Sequence, residues 1–289
     1  MADPSGMSVT RYLLAGFPFE VFAPEGLAER LRAAWSAFVV PEVDGRPFAS
    51  RARFYVEVAG PSVGEPVVQL TLPSLQASPD GVLRLHAEDF SAEVTPALCD
   101  EVTVQGPDAL YPIDVTVRVL LARDLARRGG LLVHGVGIAE EEGGRAALFT
   151  GDSGAGKSTL GRCAVEGGLL RISDELVAVV PTGDRLWRLC GTPWNAGSAS
   201  SGVLTNVGVL AHAPRDAVES VAPSEVMRVL LGNVLLAEES AEARLQLVRY
   251  VTALLNDVPS VRLSFAPTPR VADTLRAMLR GEDGLKGKG

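Results

Sequence analysis

Eight consecutive residues, Gly151-Asp152-Ser153-Gly154-Ala155-Gly156-Lys157-Ser158, fit the pattern G-x-x-x-x-G-K-[ST], and Thr159 follows them. These residue types at this spacing suit the binding of a phosphate chain. Glycine admits positive φ and lets backbone N–H groups approach an anion closely. The helix that follows turns its N-terminus toward that anion. Lys157 is placed to reach the β- and γ-phosphates, and the Ser158 hydroxyl is a ligand type for Mg²⁺. The stretch from Gly151 to Thr159 therefore reads as a nucleotide site, with Ser158 as a Mg²⁺ ligand.

Asp174 stands 17 residues after Lys157 and is followed by Glu175. One helix, one turn and one short strand fill that interval, which returns both carboxylates to the phosphates at a strand end. Transfer of a phosphoryl group to a hydroxyl needs a carboxylate to take the proton, and Mg²⁺ needs oxygen ligands. Adjacent strand residues point to opposite faces, so one carboxylate can face the metal and the other the substrate. Ser158, Asp174 and Glu175 are thus the metal candidates. His134, followed by Gly135, titrates near neutral pH and suits proton transfer or phosphate contact. Plainer alternatives stand beside these. His134 on an apolar strand also reads as a core histidine bonded to backbone, and Asp174 as a turn or helix cap.

The elements around these residues change character along the chain. Ser8 to Phe17 reads as a strand with a turn at Gly16. Leu27, Leu31, Ala34, Trp35 and Phe38 then recur at helical spacing. Alternating apolar runs follow: Phe54, Val56 and Val58; Val68, Leu70 and Leu72; Val82, Leu83 and Leu85; Val102 and Val104. Turn signals separate them, and together they predict an antiparallel sheet without a βαβ repeat. Pro112 opens a helix to Arg128, with Ile113, Val117, Leu120, Leu121 and Leu125 on its apolar face and Gly129-Gly130 at its end.

From Leu131 two strands, 131–138 and 145–150, form a hairpin that delivers the phosphate loop. An ordinary doubly wound NTPase brings that strand's neighbours in by parallel crossovers instead. Leu160, Cys163, Ala164 and Val165 give the loop helix its apolar face. Residues 169–172 read as a strand, and 176–180 with 186–189 as a second hairpin. Gly191-Thr192-Pro193-Trp194-Asn195 opens a small, polar stretch to Gly202 with the look of a lid. The remainder reads as mostly helical. Ser224 caps a helix bearing Val226, Val229, Leu230 and Val234. A second helix, 241–255, turns Leu245, Val248, Val251 and Leu255 inward. A short strand at 261–265 and a helix at 271–279 close the pattern.

The expected organisation is α/β of mixed type, with a smaller N-terminal α+β domain over residues 1–128 that binds substrate or partner and a phosphate-loop domain over 129–289. With 289 residues, 47% of them hydrophobic, the chain has enough apolar material for such cores. The net charge of -8, with no run of Lys or Arg, argues against nucleic acid or an anionic membrane as partner. No apolar run reaches the roughly 18 residues a spanning helix needs. The first residues carry no basic and apolar export pattern. Cys99, Cys163 and Cys190 are scattered, as reduced thiols of a cytoplasmic protein would be.

His134-Gly135-Val136, the hairpin, the phosphate loop and Ser173-Asp174-Glu175, in that order, resemble the HPr kinase/phosphorylase family. They are most similar to the bacterial HPr-kinase-related proteins that share its phosphoenolpyruvate-carboxykinase-like core. The Gly191-Thr192-Pro193-Trp194 segment looks like these relatives too, and the resemblance covers roughly residues 129–280. It implies that His134 matches the family's active-site histidine, and that Lys157 and Ser158 match its phosphate-binding lysine and metal ligand. Asp174 and Glu175 match an Asp-Asp pair whose second member accepts the proton. It also implies a homo-oligomer. Three positions depart from the family pattern. Glu175 stands in place of the second Asp, which leaves the base open between Asp174 and Glu175. Thr159 stands where the HPr-specific enzymes carry Glu. Residues 191–195 occupy the region of a Glu-x-Arg-Gly-x-Gly stretch that has no counterpart here. The expected function is an ATP- and Mg²⁺-dependent kinase acting on a hydroxyl, serine in the first instance, of a protein, peptide or metabolite. The alternative is a nucleotide-binding accessory protein with little or no transfer.

Overall fold

The computed structural model describes residues 6–42, 48–59, 74–78, 81–195, 197–238 and 240–282. The chain divides into two compact units, Met1–Leu121 and Ala122–Gly289, and both are mixed α/β. The run Val68, Leu70 and Leu72 and the tail beyond residue 282 lie outside the described residues. Among the described residues no helix is long and apolar enough to cross a membrane.

The first unit holds a seven-stranded sheet. β1 (Ser8–Leu14) and β2 (Phe17–Ala23) form a hairpin through Ala15 and Gly16, at φ 48 and 78. Two positive φ values in a two-residue turn match the right-handed twist of the strands it joins. α1 (Glu25–Ala34) then carries the chain over to β3 (Ala52–Val58), which lies parallel to β2. β4 (Ser74–Ala77), β5 (Leu83–His86), β6 (Ser91–Thr95) and β7 (Asp100–Gly106) form an antiparallel ladder, and β7 pairs in parallel with β3. The sheet is therefore mixed, not antiparallel, and β2-α1-β3 is a crossover unit of the kind the sequence argued against. The parallel pairing follows from α1, because only a long connection returns a strand in the same direction. Tyr12, Phe19 and Trp35 fill its core with ring centroids 5.4 and 5.5 Å apart, joined by Leu27, Leu31 and Phe54. The division between units falls within α2 (Tyr111–Arg127), which buries the expected Ile113, Val117, Leu120, Leu121 and Leu125.

The second unit is built on β8 (Leu131–Ala139), β9 (Arg145–Thr150), β10 (Leu170–Ser173), β11 (Leu176–Gly183), β12 (Leu186–Cys190), β13 (Ser201–His212), β14 (Ala217–Ser220) and β15 (Ser260–Phe265). Its pairings return on themselves: β8 with β9, β9 with β13, β13 with β12, β12 with β11, and β11 with β8. β15 adds to β13 in parallel, so β9, β13 and β15 all run in one direction. One face packs Val133, Leu148, Val177 and Val179 against α4 (Pro223–Leu231) and α5 (Ala241–Asp257). The other packs Val136, Ile138 and Phe149 against α3 (Lys157–Glu166) and α6 (Val271–Arg280). With both faces covered, these strands read as continuous apolar runs. Each fully buried Leu, Ile, Val or Phe among them contributes about 1.5–3 kcal/mol.

Several expectations for this unit change. The last third is not mostly helical: β13 is a 12-residue strand near its start, and β14 follows it. Ser224 is not a cap. It lies inside α4, whose N-cap is Ala222 with Pro223 at the first helical position. Val234 has left the helix and bridges Val133. In α5 the inward residues are Leu247, Val251, Leu254 and Leu255, while Leu245 and Val248 are 52% and 41% exposed. Val165 faces solvent, whereas Leu160, Cys163 and Ala164 are buried. Burial pushes the Cys163 thiol pKa up, as suits a packing residue.

Candidate functional site

β8 changes neighbours on both sides at the same point. On one side β9 ends at Thr150, opposite Gly135, and a segment near Asn233 takes its place, with the His134 N–H donating to the Asn233 carbonyl at 2.7 Å. On the other side β10 reaches only to Ser173, opposite Gly137, and β11 resumes at Leu176, opposite His134. Asp174 and Glu175 are the two residues in that gap. The phosphate loop leaves β9 on one flank and the acidic pair sits on the other, so His134-Gly135 lies between them. Gly135 is required by close approach: a Cβ there would lie 2.8 Å from the Phe149 carbonyl oxygen. The Thr150 hydroxyl ties the crossing together by donating to the His134 carbonyl at 2.9 Å.

The loop itself has the conformation that its glycines allow. Gly154 and Gly156 have φ +83 and +97, and Gly154 has open space where a Cβ would go. Gly156 is the N-cap of α3, and the Ala155 N–H donates to Asp152 O at 3.1 Å. Lys157 is only 7% exposed, and its Nζ donates to Gly151 O at 2.6 Å and Asp152 O at 3.1 Å. Burial lowers the pKa of this ammonium, and Asp152 opposes the shift. Asp152, Ser153, Gly154 and Ser158 are exposed along the rim, with Ala155, Gly156 and Thr159 half-buried behind them.

Asp174 is 6% exposed and both of its oxygens are engaged. The Asn195 amide donates to Oδ1 at 2.9 Å, and the Arg171 guanidinium approaches Oδ2 at 3.4 Å. Glu175 is half-buried, and its carbonyl accepts from the Gly135 N–H at 3.0 Å. His134 is the exposed side chain on an otherwise buried strand. Its pKa is lowered, first by the protein packed around the ring and then by Lys157, while Glu175 pulls it upward. Lys157 and Glu175 are thus the charged groups that act on the His134 ring. Asp174 packs against α3, its Cβ 3.5 Å from where a Cβ at Gly161 would lie. His134 is exposed and so is not a core residue, and the Asp174 carboxylate is bonded to side chains of Asn195 and Arg171.

The stretch 191–202 differs from the lid it resembled. The Gly191 N–H donates to Ser200 O at 2.9 Å and the Ser198 N–H to Ile172 O at 3.0 Å. The Thr192 hydroxyl donates to Leu176 O at 2.5 Å, and Trp194 is 2% exposed. The segment is packed against the ends of β10 and β11, and it presents Asn195, at φ 52, to Asp174. Asn195, Arg171, Gly161 and His212 were not singled out from the sequence. A glycine in the middle of the α3 pattern was the one available signal, since only close packing repays its cost there. His212, at the end of β13, has its Nε2 3.2 Å from Gly154 O.

The donor set suits a nucleotide and Mg²⁺. A left-handed glycine loop opening a helix gives the anion cradle, and Lys157 gives the cation. Among the described residues no three or more His, Cys, Asp or Glu side chains could by themselves hold a metal. Mg²⁺ is typically held by one or two carboxylates, with phosphate oxygens and water completing its octahedron.

No protein-family model and no curated protein matches the chain. Among solved structures, it is similar to the HPr(Ser) kinase/phosphatase from Coxiella burnetii over 52% of this chain and 97% of that one, at 12% identity and a TM-score of 0.31. That likeness is a distant one of fold and bears on no residue's role.

Proposed function

We propose that this chain is an ATP- and Mg²⁺-dependent kinase that transfers the γ-phosphate to a hydroxyl of a protein, peptide or small molecule. One observation carries the reading: the phosphate loop and the Asp174-Glu175 pair flank His134-Gly135, where β8 exchanges neighbours on both sides. In this reading the loop backbone cradles the phosphates, and Lys157 leaves its two carbonyl partners to hold the γ-phosphate. Ser158 and Asp174 are the metal ligands. Asp174 suits that role because the Asn195 amide and the Arg171 guanidinium fix the position of its carboxylate. Glu175, the more accessible of the pair, takes the proton of the attacking hydroxyl, and His134 in its neutral form accompanies that transfer.

The test is transfer from γ-labelled ATP in Mg²⁺ to a panel of serine peptides and hydroxyl-bearing small molecules. Lys157→Ala and Asp174→Asn each lower transfer by about 100-fold or more, the scale of a lost transition-state contact. Tight nucleotide binding without transfer to anything in the panel overturns the kinase reading. It would leave a nucleotide-binding accessory protein, the reading favoured by the fact that both Asp174 oxygens and the Lys157 ammonium already have partners within the chain.

A further inference from the structure

We propose that His212 is a positioning residue for the phosphate loop, its Nε2–H holding the Gly154 carbonyl and so keeping the loop in the shape that accepts a nucleotide. This inference rests on the nucleotide reading above and adds a residue to it. β13 lies parallel to β9 with Val209 opposite Thr150, so the last residues of β13 run alongside the loop that continues from β9. His212 is the end of that strand and lies opposite Phe265 in β15, ring centroids 6.3 Å apart. Its Nε2 is 3.2 Å from Gly154 O. A carbonyl only accepts, so the nitrogen facing it carries the proton. The same ring closes on the next glycine: a Cβ at Gly156 would lie 3.2 Å from His212 Cε1 and 3.2 Å from Phe265 Cζ.

The physical need for such an anchor follows from the loop's composition. Glycine reaches positive φ without strain but has the widest range of conformations to lose. A loop with glycine at 151, 154 and 156 loses affinity if the nucleotide must order it on arrival, and loses less if it is held beforehand. Lys157 cannot be the lasting anchor, because its bonds to Gly151 O and Asp152 O are surrendered when the ammonium turns to a phosphate. His212 belongs to a neighbouring strand and holds the loop from outside it.

The experiment compares wild type with His212→Phe, which keeps a ring and loses the donor, and His212→Gln, whose amide restores a donor near the Nε2 position. Two quantities are measured: amide hydrogen exchange of residues 152–157 without nucleotide, and affinity for a fluorescent ATP analogue with Mg²⁺. The Phe variant exchanges these amides faster, with the interior of α3 unchanged, and binds about two- to tenfold more weakly, the scale of one hydrogen bond. The Gln variant returns both toward wild type. Loop exchange in the Phe variant equal to wild type overturns the proposal, as does a Gln variant as impaired as Phe. Wild type that binds no nucleotide removes the nucleotide reading instead, and the exchange arm still decides whether His212 holds the loop.

Discussion

Residues 151–156 and residues 191–202 each contain three glycines, at 151, 154 and 156 and at 191, 197 and 202. In the first stretch two of the three serve conformation, while Gly151 has no positive φ and a Cβ there would lie 2.8 Å from the Ala155 Cβ. Gly154 and Gly156 take φ values that other residues avoid, and nothing fills the space beside Gly154. In the second they serve space. A Cβ at Gly191 would overlap the Ser198 carbonyl oxygen, one at Gly197 would overlap the Thr192 carbonyl oxygen, and neither position has a positive φ. Similar composition thus gives an exposed cradle in one place and a close-packed brace in the other. Exposure and backbone angle separate the two roles, and glycine content does not.

Substitutions at matched positions can break or sharpen that contrast. Gly197→Ala forces backbone to move in a packed segment and is expected to cost about 3 kcal/mol or more, at the upper end for overpacking. Urea denaturation measures it, and wild-type stability would show that the brace has room. Gly154→Ala meets no neighbour and pays only the left-handed backbone penalty of about 1–2 kcal/mol. Its global stability should fall less than that of Gly197→Ala, while nucleotide affinity falls with it. The reverse ranking would sink the distinction. Asn195 combines both themes, with a positive φ and a side chain on Asp174. Asn195→Gly eases the backbone but strips a donor from the buried Asp174 carboxylate, so it should lower stability by about 1 kcal/mol or less while slowing phosphotransfer. Asn195→Asp, which tolerates the same φ but sets a carboxylate against Asp174, should slow transfer further. Equal transfer rates in all three proteins would remove Asn195 from the site.

The smallest effect concerns His134, between the two flanks. Its folded pKa lies below the ordinary 6.5, because the surrounding protein and Lys157 disfavour the charged ring. The unfolded chain therefore binds more protons in the window between the folded value and 6.5, and stability rises with pH across it. His134→Gln should flatten that rise, read from denaturation midpoints taken at a series of pH values.

Legibility in the sequence followed how local the cause was. The phosphate loop, the hairpin before it and the acidic pair after it were readable, because each depends on residues close in sequence. β13 was not. Gly202, Thr205, Asn206 and Gly208 break its apolar run, and their reason is non-local: a Cβ at Gly208 would lie 2.7 Å from the Val261 carbonyl oxygen of β15. The buried face of α5 was misjudged because Leu245, Leu247, Val248, Val251, Leu254 and Leu255 surround the helix, and only its packing against the sheet and α4 selects a side. β2 was hidden by its turn, where alanine takes the left-handed position that usually announces itself as Asn or Gly. At the site, Asn195 reaches Asp174 across 21 positions of chain, beyond any motif spacing.

The closed circuit of β8, β9, β13, β12 and β11 has a mechanical consequence. Each of these strands has a neighbour on both sides within the circuit, so none can slide or peel away without breaking two ladders at once. The frame that aims the phosphate loop and the acidic pair is stiff against shear. On the proposed kinase reading, rearrangement would therefore fall to side chains and loop peptides beyond the strand ends, the Lys157 ammonium with its two carbonyl partners among them.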